Sequence, residues 1–218
     1  MELNQLDLRG RQRGYGLAIE MTLGAASIRL LICGIDQLDE YCTADISHIV
    51  SILDPGCAEP DIFRLFAQNE RLDLRFHDII DEYAGMVAPN ANDIERLLEF
   101  GRSTLDSRST SGLLVHCHAG LSRSTAAAVL LLAQAQPDRP PETAVIEMLE
   151  LKPRAWPNLR MIELGDESLR CEGKLIRAVR RHYADMVERF PMLRHAVASG
   201  RHLPDGAELP PPAAEVEV

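Results

Sequence analysis

The sequence predicts an α/β fold, with a central, largely parallel sheet of four to five strands and helices on both faces. Three observations predict it. Short runs of branched apolar residues alternate along the chain with stretches whose apolar residues recur at helical spacing. That alternation is the pattern of a parallel sheet covered on both sides. Glycine and Asp-Pro-Gly signals close the short runs and separate them from the helical stretches.

The elements can be taken in chain order. SIRLLICG, from Ser27, is a strand closed by Gly34, and IDQLDEYC suits a short helix. HIVSIL is a second strand, ended by the turn signal Asp54-Pro55-Gly56. PDIFRLFAQ reads as a helix, LDLRFH as a third strand that alternates apolar and polar residues, and DIIDEYAGMVAPNA as a longer irregular segment. Ile94, Leu97, Leu98, Gly101 and Leu105 share one helical face, and Asn92 with Glu95 stands as a capping signal before them. SGLLVH is the fourth strand, and Ser122 to Gln136 a buried helix. PETAVIEMLELK is another helix, with Val145, Met148 and Leu149 facing inward. The chain then reads as helical to about Ser199, with Leu175, Ile176, Val179, Tyr183 and Met186 as an apolar stripe. One domain is expected over residues 1–200, its core at about 27–199. Residues 201–218, rich in proline, alanine and acid, are expected to form a mobile tail.

Composition narrows the function classes. The 218 residues are 46% hydrophobic and 26% charged, as in a globular protein with one well-filled core. The longest apolar run, Ala126 to Ala133, is far short of the roughly 20 residues that span a membrane. The start, MELNQLDLRGRQRG, is charged where a signal peptide needs an apolar stretch, so a cytoplasmic protein is expected. The formal net charge of −10 argues against nucleic-acid and anionic-membrane partners, which call for a basic face. The five cysteines are odd in number and widely spaced, which fits reduced thiols better than a disulfide framework.

One of those cysteines stands in a setting that asks for chemistry. HCHAGLSRST, from His116 to Thr125, interrupts two apolar stretches with a thiol, a glycine, serines and an arginine. In a parallel sheet, ligands gather where strands end and loops lead into helices, and this stretch lies at such a junction. Between a strand ending near His116 and a helix starting near Ser122 the backbone must curl, and Gly120 permits that. A curled loop turns several N–H groups inward, and the first N–H groups of the helix join them. That concavity suits a tetrahedral dianion. Arg123 adds a fixed charge and a fork for two phosphate oxygens, while donors aimed at the sulfur of Cys117 favour its thiolate. Such a thiolate, held against phosphorus, is an activated nucleophile.

HCHAGLSRS has the HCxxGxxR form of the cysteine-dependent protein tyrosine phosphatases, and it resembles most the compact dual-specificity branch and its bacterial relatives. The resemblance covers roughly Ser27 to Leu169 in element order and implies a cysteine-phosphatase-like fold. It implies a phosphocysteine intermediate at Cys117, with phosphate held by the loop His118, Ala119, Gly120, Leu121 and Ser122 and by Arg123. Ser124 would assist departure of the thiolate, and His116 would orient the loop and tune the thiol. RAWPNLRMIEL resembles a second segment of that branch, with Arg154, Pro157 and Asn158 falling on it. Asn158 would then brace the loop; the residues alone also allow it to cap the following helix. The family supplies an aspartate as general acid, and Asp78, Asp81, Glu82 and Asp93 are the candidates. Asp78 directly follows the LDLRFH strand and takes the position best, with Asp81 next; Asp93 fits a helix N-terminus.

The function implied is phosphomonoester hydrolysis of the protein-tyrosine-phosphatase type, on a phosphorylated protein or peptide, with no metal and no cofactor. A metal at His116-Cys117-His118 is disfavoured, because three adjacent residues cannot all turn to one ion. The loop interior carries no lysine, which disfavours inositol-lipid substrates. The alternative is a phosphate-reading binding module without catalysis, which gains weight if neither Asp78 nor Asp81 reaches the pocket.

Overall fold

A computed structural model describes residues 18–23, 26–66, 69–106 and 112–191. Five strands form one sheet in the order β1-β2-β5-β3-β4: β1 Ala18–Leu23, β2 Ala26–Gly34, β3 Ile46–Leu53, β4 Glu70–Arg75 and β5 Gly112–Cys117. The strands β2, β5, β3 and β4 are mutually parallel, while β1 runs antiparallel along the β2 edge. Strand β1 is an addition to the elements expected from sequence. Its period-2 pattern of Ile19, Met21 and Leu23 is present, but weak strand formers and a charged approach hide it.

The helices are α1 Ala91–Asp106, α2 Arg123–Ala135, α3 Glu142–Leu151, α4 Leu159–Ser168 and α5 Lys174–Arg189. All five pack on one face of the sheet, in a core that includes Leu97, Val129, Met148, Ile162 and Val179. The other face is covered by two 3₁₀ helices, Ile35–Tyr41 and Asp61–Leu65. Both segments are expected as helices, and the second, PDIFRLFAQ, shortens to five residues; Ala67 and Gln68 lie outside the described part. The reason is spacing. Leu38 and Tyr41 in one, and Phe63 and Phe66 at the other, are the buried pairs, each three residues apart, which is the 3₁₀ repeat.

Two further expectations are corrected. The first turn of α1 is capped by Asn90 and Asp93 and not by Asn92 and Glu95. Asn90 Oδ1 accepts from the N–H of Asn92 (2.9 Å) and Asp93 (3.3 Å), and Asp93 Oδ2 accepts from Asn90 N–H (3.0 Å). The C-terminal helical stretch divides into α4 and α5 at residues 169–173, where Arg170, Glu172 and Gly173 have positive φ. Buried Asp166 holds that break by accepting from the N–H groups of Gly173 (2.6 Å) and Leu175 (2.9 Å). The expected tail, 201–218, lies outside the described residues.

The position of α2 follows from its composition. RSTAAAVLLLAQA is buried on nearly every side, so it can only be a central helix. It touches β5, α1, α3 and α4. Its N-terminus therefore meets the carboxyl end of β5, between β2 and β3. Among the described residues no helix is long and apolar enough to cross a membrane.

Candidate active site

Period-2 alternation along β5 turns Leu113, Val115 and Cys117 to the α-helical face and Leu114 to the 3₁₀ face. Cys117 ends the strand and Arg123 starts α2, so residues 118–122 must reverse within a few ångströms. Framework donors hold the loop carbonyls outward. Ile35 N–H donates to His118 O (2.9 Å), Trp156 N–H to Leu121 O (2.7 Å), and Ala126 (2.9 Å) and Asn158 (3.3 Å) N–H to Ser122 O. A trans peptide unit points its N–H opposite to its C=O, so the amides of Ala119, Ser122 and Arg123 face the concave side. Gly120 N–H donates to Cys117 Sγ at 3.3 Å.

Gly120 makes this curl possible. Its φ is +70°, and a Cβ there would lie 2.4 Å from Gly34 N and 2.5 Å from Cys33 C. Gly34 is constrained in turn, since its Cβ would lie 2.9 Å from His118 O. The loop thus sits directly on the end of β2, glycine against glycine. At the start of α2, Ser122 makes no side-chain cap; its hydroxyl donates to Asp78 Oδ1 at 2.8 Å. The positive end of the helix dipole therefore lies at the loop.

Arg123 is 3% exposed. Its Nη1 donates to Asp54 Oδ1 (2.6 Å) and to Phe76 O (2.7 Å). Its Nε is buried without a hydrogen-bond partner, 4.0 Å from Asp78 Oδ2. A buried guanidinium N–H left unmatched costs a few kcal/mol, and an anion's oxygen would satisfy it. Ser124 Oγ lies 3.2 Å from Cys117 Sγ.

The Asn158 side chain caps the following helix and holds the Asp78 segment, whereas its expected contact with the loop is made by its backbone N–H, to Ser122 O. Its Oδ1 accepts from Met161 N–H (3.0 Å) and caps α4, while its Nδ2 donates to Asp78 Oδ1 (2.9 Å) and Ile79 O (3.2 Å). The segment around it is fixed from α5: Trp156 stacks on Tyr183 at 4.2 Å, the Tyr183 hydroxyl donates to Pro157 O, and His182 Nε2 meets Ala155 O at 2.8 Å. Arg154 is exposed.

The other candidates separate clearly. Asp81 is exposed and makes no hydrogen bond or ion pair with these groups, Glu82 pairs with Arg160, and Asp93 caps α1. His118 is half-buried at the mouth, where Asp54 N–H donates to its Nε2 at 3.3 Å. An accepting Nε2 places the ring proton on Nδ1. Ala119 is exposed, and Leu121 half-buried. Asp54 reads from sequence only as a turn residue. Its place at the carboxyl end of a central strand is the available signal.

The His116 imidazole lies on the 3₁₀ face, edge-on to Phe63 at 5.3 Å, beside the Cys117 backbone. Burial pushes its pKa down to about 4, so the ring is neutral and lends Cys117 no charge. The unfolded chain, with His near 6.5, binds more protons between these values. Stability is therefore complete above about pH 6.5 and falls as pH drops through 4, by about 3 kcal/mol in all. Urea unfolding at pH 7 and pH 4.5 checks this: wild type is expected to lose about 2 kcal/mol more than His116→Gln over that interval. Equal losses would contradict a buried neutral ring.

No protein-family profile and no curated protein matches the chain. Solved structures do. Human DUSP28 superposes at TM-score 0.50 and 15% identity, covering 66% of this chain and 94% of its own. The Cydia pomonella PTP-2 phosphatase does so at TM-score 0.50 and 17% identity, covering 68% and 88%. The fold is that of the cysteine-dependent phosphatases. At such identities the shared property is the fold, and the chemistry rests on the loop and its partners.

Proposed function

We propose that the chain hydrolyses phosphomonoesters through a phosphocysteine intermediate, with phosphotyrosine in a protein or peptide as the leading substrate. One observation carries this reading. A buried cysteine sulfur accepts the Gly120 N–H within the loop that leads into Arg123, whose buried Nε has no hydrogen-bond partner.

The steps follow from that arrangement. The phosphate dianion occupies the loop, its oxygens held by inward amides and by Arg123. The thiolate of Cys117 attacks phosphorus; the S–P bond forms as the P–O bond to the leaving group breaks. Asp78 gives its proton to that oxygen. Water then attacks phosphorus, Asp78 takes its proton, and Cys117 leaves as thiolate towards Ser124 Oγ. Positive charge for the equatorial oxygens comes from amides, a helix end and a guanidinium, so no step calls for a metal.

The contacts of Asp78 with Ser122 and Asn158 favour an enzyme over a binding module. Turnover of para-nitrophenyl phosphate tests the choice. Hydrolysis that persists in EDTA and stops with vanadate is expected. Binding of the ester without product would overturn the enzymatic reading.

A further inference from the structure

Five large hydrophobic side chains stand exposed among the described residues, and three of them fall within five positions: Tyr83 (66%), Met86 (40%) and Val87 (47%). Scattered exposed apolar residues are ordinary, but three within one short segment mark a contact surface. Here the segment that carries it is firmly tied down. His77 N–H donates to Val87 O (2.7 Å), and Val87 N–H donates to His77 Nδ1 (2.9 Å). Met86 N–H donates to Tyr83 O (3.0 Å), closing a tip turn in which Gly85 takes φ +81°, the position that favours glycine in a type II turn. Arg160 reaches three points of the same segment: Nη1 to Ile80 O (3.3 Å), Nη2 to Glu82 Oε1 (3.4 Å) and Nε to Pro89 O (2.8 Å).

The anchoring also fixes where the cluster lies. Val87 pairs with His77, the residue before Asp78, and Asp78 accepts the hydroxyl of Ser122 in the catalytic loop. The apolar patch is therefore one backbone pairing away from the proton donor. A peptide residue advances about 3.3 Å when extended, so the patch is within reach of positions near the phosphorylated one.

We infer that Tyr83, Met86 and Val87 form a docking lip for an apolar side chain of the substrate polypeptide, flanking the phosphorylated residue. The inference rests on the phosphatase reading above and names the substrate class of the same site: phosphopeptides with large apolar neighbours. Because the lip is already ordered, little conformational entropy opposes its use. Burying one such side chain supports a preference of about tenfold.

Two phosphotyrosine peptides, identical except for leucine or serine at the flanking positions, test it with wild type and with the doubly substituted Met86→Ser, Val87→Ser chain. The leucine peptide is expected to have a kcat/KM about tenfold higher with wild type, and the ratio is expected to fall to within about twofold in the variant. Equal values with wild type would overturn the inference and leave the phosphatase reading standing. So would a preference that survives both substitutions, or wild-type self-association that the substitutions abolish while peptide preference stays. Hydrolysis of neither peptide by wild type would overturn both readings.

Discussion

Cys117→Ser is expected to lower turnover of para-nitrophenyl phosphate by a factor of at least about 10⁴ and to leave phosphate-ester binding intact. The sulfur sits at the floor of the loop, 2% exposed, with Gly120 N–H 3.3 Å away. A serine oxygen fits the same space, but the loop has no base poised to take its proton. His116, one of the two imidazoles adjoining Cys117 in sequence, faces the other side of the sheet. His118 offers Nε2 to Asp54 N–H and is engaged at the mouth. A serine hydroxyl therefore stays neutral and unreactive. Binding survives because the donors for the phosphate belong to the backbone and Arg123, and a neutral hydroxyl also removes a negative charge that repels the dianion. Calorimetry with a phosphotyrosine peptide, beside the kinetic assay, reads both halves. Retained turnover would remove the nucleophile from the scheme.

Arg123→Lys is expected to lower kcat/KM about 10³-fold even though the charge is kept. The guanidinium divides its work between two sides. Nη1 is committed to Asp54 and to the carbonyl of Phe76, while buried Nε lies unmatched at the pocket. One ammonium cannot hold Asp54 and Phe76 and also offer a planar fork to phosphate. Its best compromise is the carboxylate of Asp54, 41% exposed at the side chain, which draws the charge away from the anion. Both KM and kcat are expected to worsen, because the fork binds phosphate oxygens in the ground state and in the transition state. Steady-state kinetics, with circular dichroism as the check on folding, measures the change. A lysine variant within tenfold of wild type would mean that the backbone amides alone hold the anion.

The parts legible in the sequence are those whose physical cause is local. Strands β2 and β3 are visible because each is a branched apolar run with a breaking signal at its end, Gly34 or Asp54-Pro55, β4 because apolar and polar residues alternate along it, and β5 because it is a short apolar run. The loop is visible because HCHAGLSRS sets a thiol, a glycine, serines and an arginine within nine positions between a strand and a helix. What escapes depends on contacts between distant segments. Asp54 looks like a turn residue until β3 and β5 pair and bring it 2.6 Å from Arg123. Gly34 looks like the end of a strand until Gly120 is packed against it. Asn158 can be given a loop brace or a helix cap, and only the fold shows its amide reaching Asp78 while its carbonyl oxygen caps α4. Alternation along β5 sends the neighbouring His116 and Cys117 side chains to opposite faces. With Cys117 at the pocket, His116 has to point away from it. The 3₁₀ segments pass for ordinary helices because a short apolar spacing of three fits either repeat.

The central claim is that Cys117 carries the phosphoryl group, and trapping that group tests it most directly. Ser124→Ala removes the hydroxyl 3.2 Å from Sγ that receives the departing thiolate, so breakdown of the intermediate is expected to slow more than its formation. Mixing this variant with a radiolabelled phosphotyrosine peptide and quenching in alkaline denaturant within milliseconds is expected to leave label on the peptide that contains Cys117. No label on the protein during active turnover, or label on any other residue, would contradict the account.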